Sequence, residues 1–113
     1  MGSRTPYKGL TGHKALALAV IHQATKEMGD TRPSSTQQLG RDKLKLRIEA
    51  TVWLASTQAT GWFEGCGLDQ GYALGRMRWA SHARELLDDE SVFLGHERAR
   101  VLELGLASAG PTE

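Results

Sequence analysis

The chain has a single cysteine among its 113 residues, Cys66, so no disulfide can form within it. One thiolate also excludes the zinc sites that need two or more cysteine ligands. Long apolar runs are missing as well. The longest covers residues 15–21, whereas a membrane-spanning helix needs about 20 apolar residues. We therefore expect a reduced, cytoplasmic protein that does not cross a membrane.

An excess of charge of one sign is also lacking, because 14 Lys and Arg residues face 13 Asp and Glu residues. This balance excludes a strongly basic nucleic-acid coat protein. The charge is nevertheless uneven: residues 1–84 carry 12 basic and six acidic residues, and residues 85–113 carry two and seven. The acidic part fits a solvated C-terminal helix, or it keeps acidic charge away from a basic face that meets phosphate.

What is present is helical periodicity, with no alternating strand pattern longer than a few residues. Ala17, Ile21, Ala24 and Met28 follow one another at three- and four-residue steps, which is typical of one buried helix face. The pattern predicts an all-α fold of four to five helices in one domain, residues 1–113. The expected helices cover residues 12–28, 41–56, 58–66, 70–88 and 96–107, joined by a polar linker at 29–40. Residues 1–11 are expected to be a flexible lead-in and 108–113 a flexible tail.

The most informative motif covers residues 58–84, which resemble a helix-turn-helix in layout. Gly67 stands where a sharp turn needs a left-handed backbone, which glycine adopts at little cost. Asp69 is a good N-cap for the following helix. Leu68 is expected to be sealed between the two helices, and Cys66 to be a small buried plug.

In such a motif the second helix enters the major groove of double-stranded DNA. Gln70, Arg76 and Arg78 would then face the DNA, because their side chains suit adenine edges, guanine edges and phosphates. Lys43 and Lys45 would contact the backbone. The sequence therefore predicts a DNA-binding regulator, expected to be a homodimer.

The alternative is a protein-binding module that acts on a host or virion protein as an inhibitor or assembly factor. Gly71 and Gly75 have no side chain that could contact a base. They would instead permit close approach of a partner backbone. Trp79 and Phe93 are candidate partner-binding residues, because exposed aromatic side chains are enriched at binding hot spots. Trp79 has a second interpretation, in which it packs under the C-terminal segment.

Side chains that would support catalysis are not grouped in any known spacing. The four histidines do not form a metal-ligand motif, and Cys66 has no histidine placed nearby to activate it. Two further tryptophans, Trp53 and Trp62, are expected to fill the core. We expect no catalytic residue, no metal and no cofactor, and we expect that the protein is not an enzyme.

Residues 49–78 resemble a family of small phage and prophage helical proteins of unknown function. The resemblance rests on the segment from Trp53 to Ser56 (Trp-Leu-Ala-Ser), on the segment from Cys66 to Asp69 (Cys-Gly-Leu-Asp), and on Met77. The family has the pattern Ala-x-x-Trp-Leu-x-Ser, then an apolar helix, then Ala-Gly-Leu-Asp-Pro and an arginine-rich helix. This resemblance implies a phage-type protein with a helix-turn-helix-like core, located in the host cytoplasm.

Overall fold

The structure, a computed structural model, describes residues 12–30 and 35–109. These residues contain six α-helices and no strand, so the all-α class is confirmed. The helices are α1 (Gly12–Met28), α2 (Gln37–Leu54), α3 (Thr57–Gly65), α4 (Gln70–Arg76), α5 (Trp79–Asp89) and α6 (Ser91–Ala109). The expected lead-in, residues 1–11, lies outside the described residues. Of the expected tail, residues 108 and 109 belong to α6 and the remainder lies outside the described part.

One apolar core joins all six helices. Its largest fully buried side chains include Met28 of α1, Leu54 of α2, Phe63 of α3, and Leu86 and Leu102 of the last two helices. Continuous burial of this kind is the main favourable contribution to folding of a small helical domain. In the described part of the chain, no helix has both the length and the apolar character that a bilayer crossing requires.

Helix α2 folds back along α1 and is longer at its start than the sequence predicts. The sequence favours a linker up to residue 40, but α2 begins at Gln37 because Thr36 caps it. The Thr36 hydroxyl accepts a hydrogen bond from the backbone N–H of Leu39 at 3.0 Å. At the other side of the hairpin, Arg47 donates from Nε to the Met28 carbonyl at 3.1 Å, which ties α2 to the end of α1.

The corner between α3 and α4 lies at Gly67, as predicted. Gly67 has φ +75°, and the backbone N–H groups of Gly67 and Leu68 bond the carbonyls of Glu64 and Phe63 at 3.0 and 2.9 Å. This pair of bonds is a Schellman motif, which satisfies the free carbonyls of a helix end. The Asp69 carboxylate then caps α4 by accepting from Tyr72 N–H at 2.8 Å.

Two details of this corner differ from the prediction. Leu68 is 37% exposed rather than sealed between the helices, and the fully buried large side chain next to this corner is Phe63 of α3. Cys66 is half-buried, and its thiol donates to the Trp62 carbonyl at 3.4 Å. The predicted turn at Gly67 is therefore present. The prediction that Leu68 is buried between the two helices is wrong.

The single helix predicted over residues 70–88 is two helices, which raises the count to six. The break lies at Arg78, whose backbone is left-handed with φ 58° and ψ 40°. In one unbroken helix Trp79 would share a face with Tyr72 and Gly75, which are both exposed. The break turns Trp79 into the core, where it is 1% exposed. Burial of this indole offsets the roughly 1–2 kcal/mol that a left-handed non-glycine residue costs.

Helix α6 contains a kink at Gly95, where φ is +78° and ψ is 166°. Its regular part follows this kink, in agreement with the predicted helix over 96–107. Near its other end, α6 crosses Trp79 so closely that a Cβ added at Gly105 would lie 2.5 Å from Cη2 of the indole. The close packing of α5 on α6 therefore requires glycine at this position.

Candidate functional site

Gln70, predicted to read DNA, is half-buried and is held by three hydrogen bonds to other parts of the chain. Its Nε2 donates to the carbonyl oxygens of Leu54 and Ser56 at 2.9 and 3.1 Å, and its Oε1 accepts from the Thr60 hydroxyl at 2.7 Å. Both amide protons are thus committed to backbone carbonyls. The side chain therefore caps the end of α2, and the predicted contact of Gln70 with DNA stays a prediction.

The end of α2 shows why two side chains from later helices are needed there. The last four carbonyls of a helix have no partner within it. Trp79 of α5 and Gln70 of α4 satisfy two of them, and the chain following α2 satisfies the other two. The acceptors and their donors are Thr51 with Trp79 Nε1 (2.7 Å), Val52 with Ala55 N–H (3.2 Å), Trp53 with Ser56 N–H (2.9 Å) and Oγ (2.7 Å), and Leu54 with Gln70 Nε2 (2.9 Å).

Trp79 is a core residue and not an exposed anchor for a partner. Its indole N–H is bonded and its ring is almost fully buried, so the partner-binding prediction for this side chain is wrong and the packed alternative holds. The tryptophans predicted to fill the core are less buried. Trp62 is 36% exposed and Trp53 is half-buried.

The remaining predicted site residues do lie on the surface. Arg76 and Arg78 are exposed, and neither forms an ion pair with another residue of the described ranges. Lys45 is exposed on α2, whereas Lys43 is half-buried with Nζ 3.8 Å from an Asp30 carboxylate oxygen. Helix α4 packs mainly on α3 and α5. The arginines and the lysines therefore lie on separate elements, and their role in DNA binding stays a prediction.

Phe93 also lies on the surface. It precedes the α6 kink and is 61% exposed, while the next residue, Leu94, is fully buried. A single exposed aromatic side chain is common on protein surfaces. Its role in partner binding stays a prediction.

An open cleft of about 800 Å³ lies between the α2–α3 junction, the start of α3, α4, the first turn of α5 and the second half of α6. We call it the α4–α6 groove. Among the described residues, no charged side chain lines it, and its polar lining consists of hydroxyl groups and the Gln70 amide. Its apolar and glycine lining includes Gly71, Leu74, Gly75, Val101, Leu104 and Gly105, with Trp79 beneath.

For two glycines of this groove, the described part of the chain shows no contact or backbone angle that requires glycine. Gly71 and Gly75 lie in α4 without positive φ, and a Cβ at Gly75 would meet nothing within 4 Å. At Gly71 it would lie 3.5 Å from the Asp69 carboxylate, an ordinary contact. Each costs roughly 1 kcal/mol relative to alanine in a helix. Their Gly-x-x-x-Gly spacing places both on one face of the helix. Because neither residue has a side chain, the backbone of α4 is accessible on that face.

A polar cluster outside the groove joins α1, α2 and α5. The guanidinium of Arg47 forms an ion pair with Glu85, and its Nε bonds the Met28 carbonyl. Burial lowers the pKa of His82 below its usual 6.5, the Arg47 charge lowers it further, and Glu85 opposes both. This cluster holds α5, and so Trp79, against α2.

Residues suited to metal binding do not gather in the described part of the chain, where no three His, Cys, Asp or Glu side chains share a site. Comparison with protein-family models, characterised proteins and solved structures yields no match for this chain. The function is therefore inferred from the chain's own geometry. Sequence reasoning located the glycines of the groove but missed the groove itself, because α6 contributes a wall from a distant part of the chain.

Proposed function

We propose that the protein is a non-catalytic protein-binding module whose α4–α6 groove receives an amphipathic helix of a partner protein. The observation that carries this proposal is the glycine pair in α4. Glycine has a low helix propensity. Within the described residues no close contact requires glycine at position 71 or 75, yet both glycines border an uncharged and mainly apolar groove. Binding is the role that explains residues which the fold itself does not need.

A helix is the occupant that this shape favours. Glycines spaced by four residues let a second helix backbone approach closely, so that its side chains reach Leu74 and the floor of the groove above Trp79. The lining offers no charge, so we expect the buried face of the partner to be aliphatic or small. Exposed Leu104 at the groove then covers the partner helix from the α6 side.

Two matched glycine variants test this proposal. Gly75→Leu fills the groove, and Gly61→Leu makes the same change on the exposed face of α3, outside the groove. Neither position has an atom within 4 Å of the added Cβ, so both variants are expected to fold. The probe is a displayed library of designed amphipathic helices, selected on the natural chain. Selected peptides should bind the natural chain and Gly61→Leu and lose at least about tenfold in affinity for Gly75→Leu. Equal binding to all three proteins would overturn the proposal.

DNA binding by a phage-derived regulator stays the second candidate, favoured by the exposed side chains of Arg76 and Arg78. Phosphate contacts predict an affinity for duplex DNA that falls steeply with salt and falls again in Arg76→Ala/Arg78→Ala. The homodimer, the phage origin and the cytoplasmic location also stay predictions.

A further inference from the structure

Three side chains at α4 form an exposed strip outside the α4–α6 groove. Asp69, Tyr72 and Arg76 follow one another at three- and four-residue steps, which places them on one helix face. All three are exposed, Tyr72 by 65%, and none of them lines the groove. We call them the α4 strip. The strip is therefore a surface separate from the one proposed above to receive a partner helix.

The strip has opposite charges at its two ends and an aromatic ring between them. The Asp69 carboxylate accepts from the Tyr72 backbone N–H through Oδ2, and an ionised carboxylate has further acceptor sites. Arg76, one turn after Tyr72, forms no ion pair within the described ranges. The next charged residues along the chain have the same sign as the end that they adjoin. Glu64 precedes Asp69, and Arg78 follows Arg76.

The helices packed beside α4 keep this order of charge. Helix α3, which leads into the acidic end, has Glu64 as its only charged residue. Helix α5, which follows the basic end, has no acidic residue in its first turn. Helix α1 approaches the basic end through Thr25, whose hydroxyl oxygen lies 3.8 Å from the sulfur of Met77, and the next residue is the exposed Lys26. The polarity of the strip is therefore also that of its surroundings.

We propose that the α4 strip pairs with the same strip of a second copy of this chain around a twofold axis. With the two α4 helices antiparallel, the two Tyr72 rings meet near the axis, and each Asp69 lies beside Arg76 of the second copy. A parallel arrangement would bring like charges together, so the charges select the antiparallel one. Exposed ion pairs contribute little affinity, and burial of the tyrosine rings contributes most of it.

A second copy is the occupant that this order of charge favours. Asp69 lies three residues before Tyr72, and Arg76 lies four residues after it. Reversing the strip about Tyr72 therefore places each charge opposite its counter-charge to within one residue, so the strip is its own complement. Tyrosine is also enriched among the residues that dominate binding energy. Because α4 has only seven residues, the contact is small, and we expect a weak, reversible dimer.

The test measures the mass of the full chain by sedimentation equilibrium at concentrations up to about 1 mM. The natural chain should dimerise reversibly, and Tyr72→Lys and Tyr72→Glu should each raise the dissociation constant at least about tenfold. Mixing these two variants should restore a dimer, because the proposal places position 72 of one copy opposite position 72 of the other. Phe93→Lys and Phe93→Glu are matched controls, because Phe93 is 61% exposed on α6, and each alone should dimerise like the natural chain.

Reversal of one charge tests the antiparallel order. Arg76→Asp would place two carboxylates together at both ends of the contact and should also weaken the dimer at least about tenfold. Arg84→Asp makes the same change at an exposed position of α5 and should leave the dimer intact.

Four results would each overturn the proposal. They are a natural chain that stays monomeric, a dimer that persists in Tyr72→Lys or is lost in the Phe93 variants, a mixture that does not restore the dimer, and equal effects of Arg76→Asp and Arg84→Asp. Tyr72→Lys should still bind the peptides selected for the α4–α6 groove, because Tyr72 does not line it. This proposal and the proposed function therefore fail separately.

Discussion

The indole N–H of Trp79 donates a 2.7 Å hydrogen bond to the carbonyl oxygen of Thr51, which joins the start of α5 to the last turn of α2. Both residues are almost completely buried. The left-handed backbone at Arg78 makes this bond possible, because it directs the Trp79 side chain toward the Thr51 carbonyl. That carbonyl has no hydrogen-bond donor within α2. The same placement makes Trp79 the base of the α4–α6 groove.

The first prediction concerns this bond. Trp79→Phe keeps an aromatic ring but leaves the Thr51 carbonyl buried without a donor, so the free energy of unfolding should fall by about 1–3 kcal/mol. Trp62→Phe is the control, because Trp62 is more exposed and lies outside the core cluster. Urea denaturation measures both variants. Equal, small effects would contradict the structural role of Trp79.

The second prediction contrasts two glycines of the groove. Gly105→Ala places a Cβ 2.5 Å from Trp79 Cη2 and should lower the free energy of unfolding by about 1–3 kcal/mol. Gly75→Ala meets no atom within 4 Å and should raise it by up to about 1 kcal/mol through helix propensity. Thermal denaturation of both variants measures whether the free energy of unfolding falls or rises in each. A loss of stability in Gly75→Ala would mean that the fold needs this glycine, which removes the main support for a docking role.

The third prediction separates a capping role of Gln70 from a DNA-reading role. Gln70→Ala removes the donor to the Leu54 and Ser56 carbonyls and should lower the free energy of unfolding by about 1–3 kcal/mol. Gln58→Ala, at an exposed position of α3, is the matched control and should change it by less than about 0.5 kcal/mol. Chemical denaturation measures both variants. If Gln70→Ala is as stable as Gln58→Ala, the hydrogen bonds of Gln70 do not stabilise the fold, and the capping role is contradicted.

The fourth prediction concerns pH. The pKa of His82 is lowered in the folded protein, chiefly by burial and then by Arg47, so the unfolded chain takes up this proton first. The contribution of neutral His82 to stability is therefore complete above about pH 6.5 and is lost as the pH falls below that value. His82→Gln should flatten this part of the profile. Denaturation curves between about pH 8 and pH 5 that are parallel for the two proteins would contradict this assignment.

Local signals made part of this fold predictable. The turn at Gly67 and the N-cap at Asp69 depend on residues within one helical turn, and both are where the sequence places them. The sequence left two interpretations of Trp79 open, an exposed anchor and a packed core residue, because the choice depends on one backbone angle at Arg78. Arginine carries no sequence signal for a left-handed conformation. A single such residue changes the direction of the following helix, and here it turns Trp79 into the core.

The groove escaped prediction for a different reason. Its glycines are visible in the sequence, but its depth depends on how α6 lies against Trp79, which is a contact between distant parts of the chain. The same distance in sequence hid the capping role of Gln70. Its predicted DNA contact assumed a free amide, whereas the end of α2 uses both of its protons.

The most direct test of the central claim is an NMR titration of the isotope-labelled chain with a helical peptide selected as described above. The amide signals of glycines are separated from those of most other residues. The signals of the glycines that line the groove can therefore be followed individually. We predict that the amide signals of Gly71, Gly75 and Gly105 shift with the peptide and that Gly61 does not. If those three signals stay in place while duplex DNA shifts the signals of Arg76 and Arg78, the groove is not the binding site and the DNA-binding regulator is the better description.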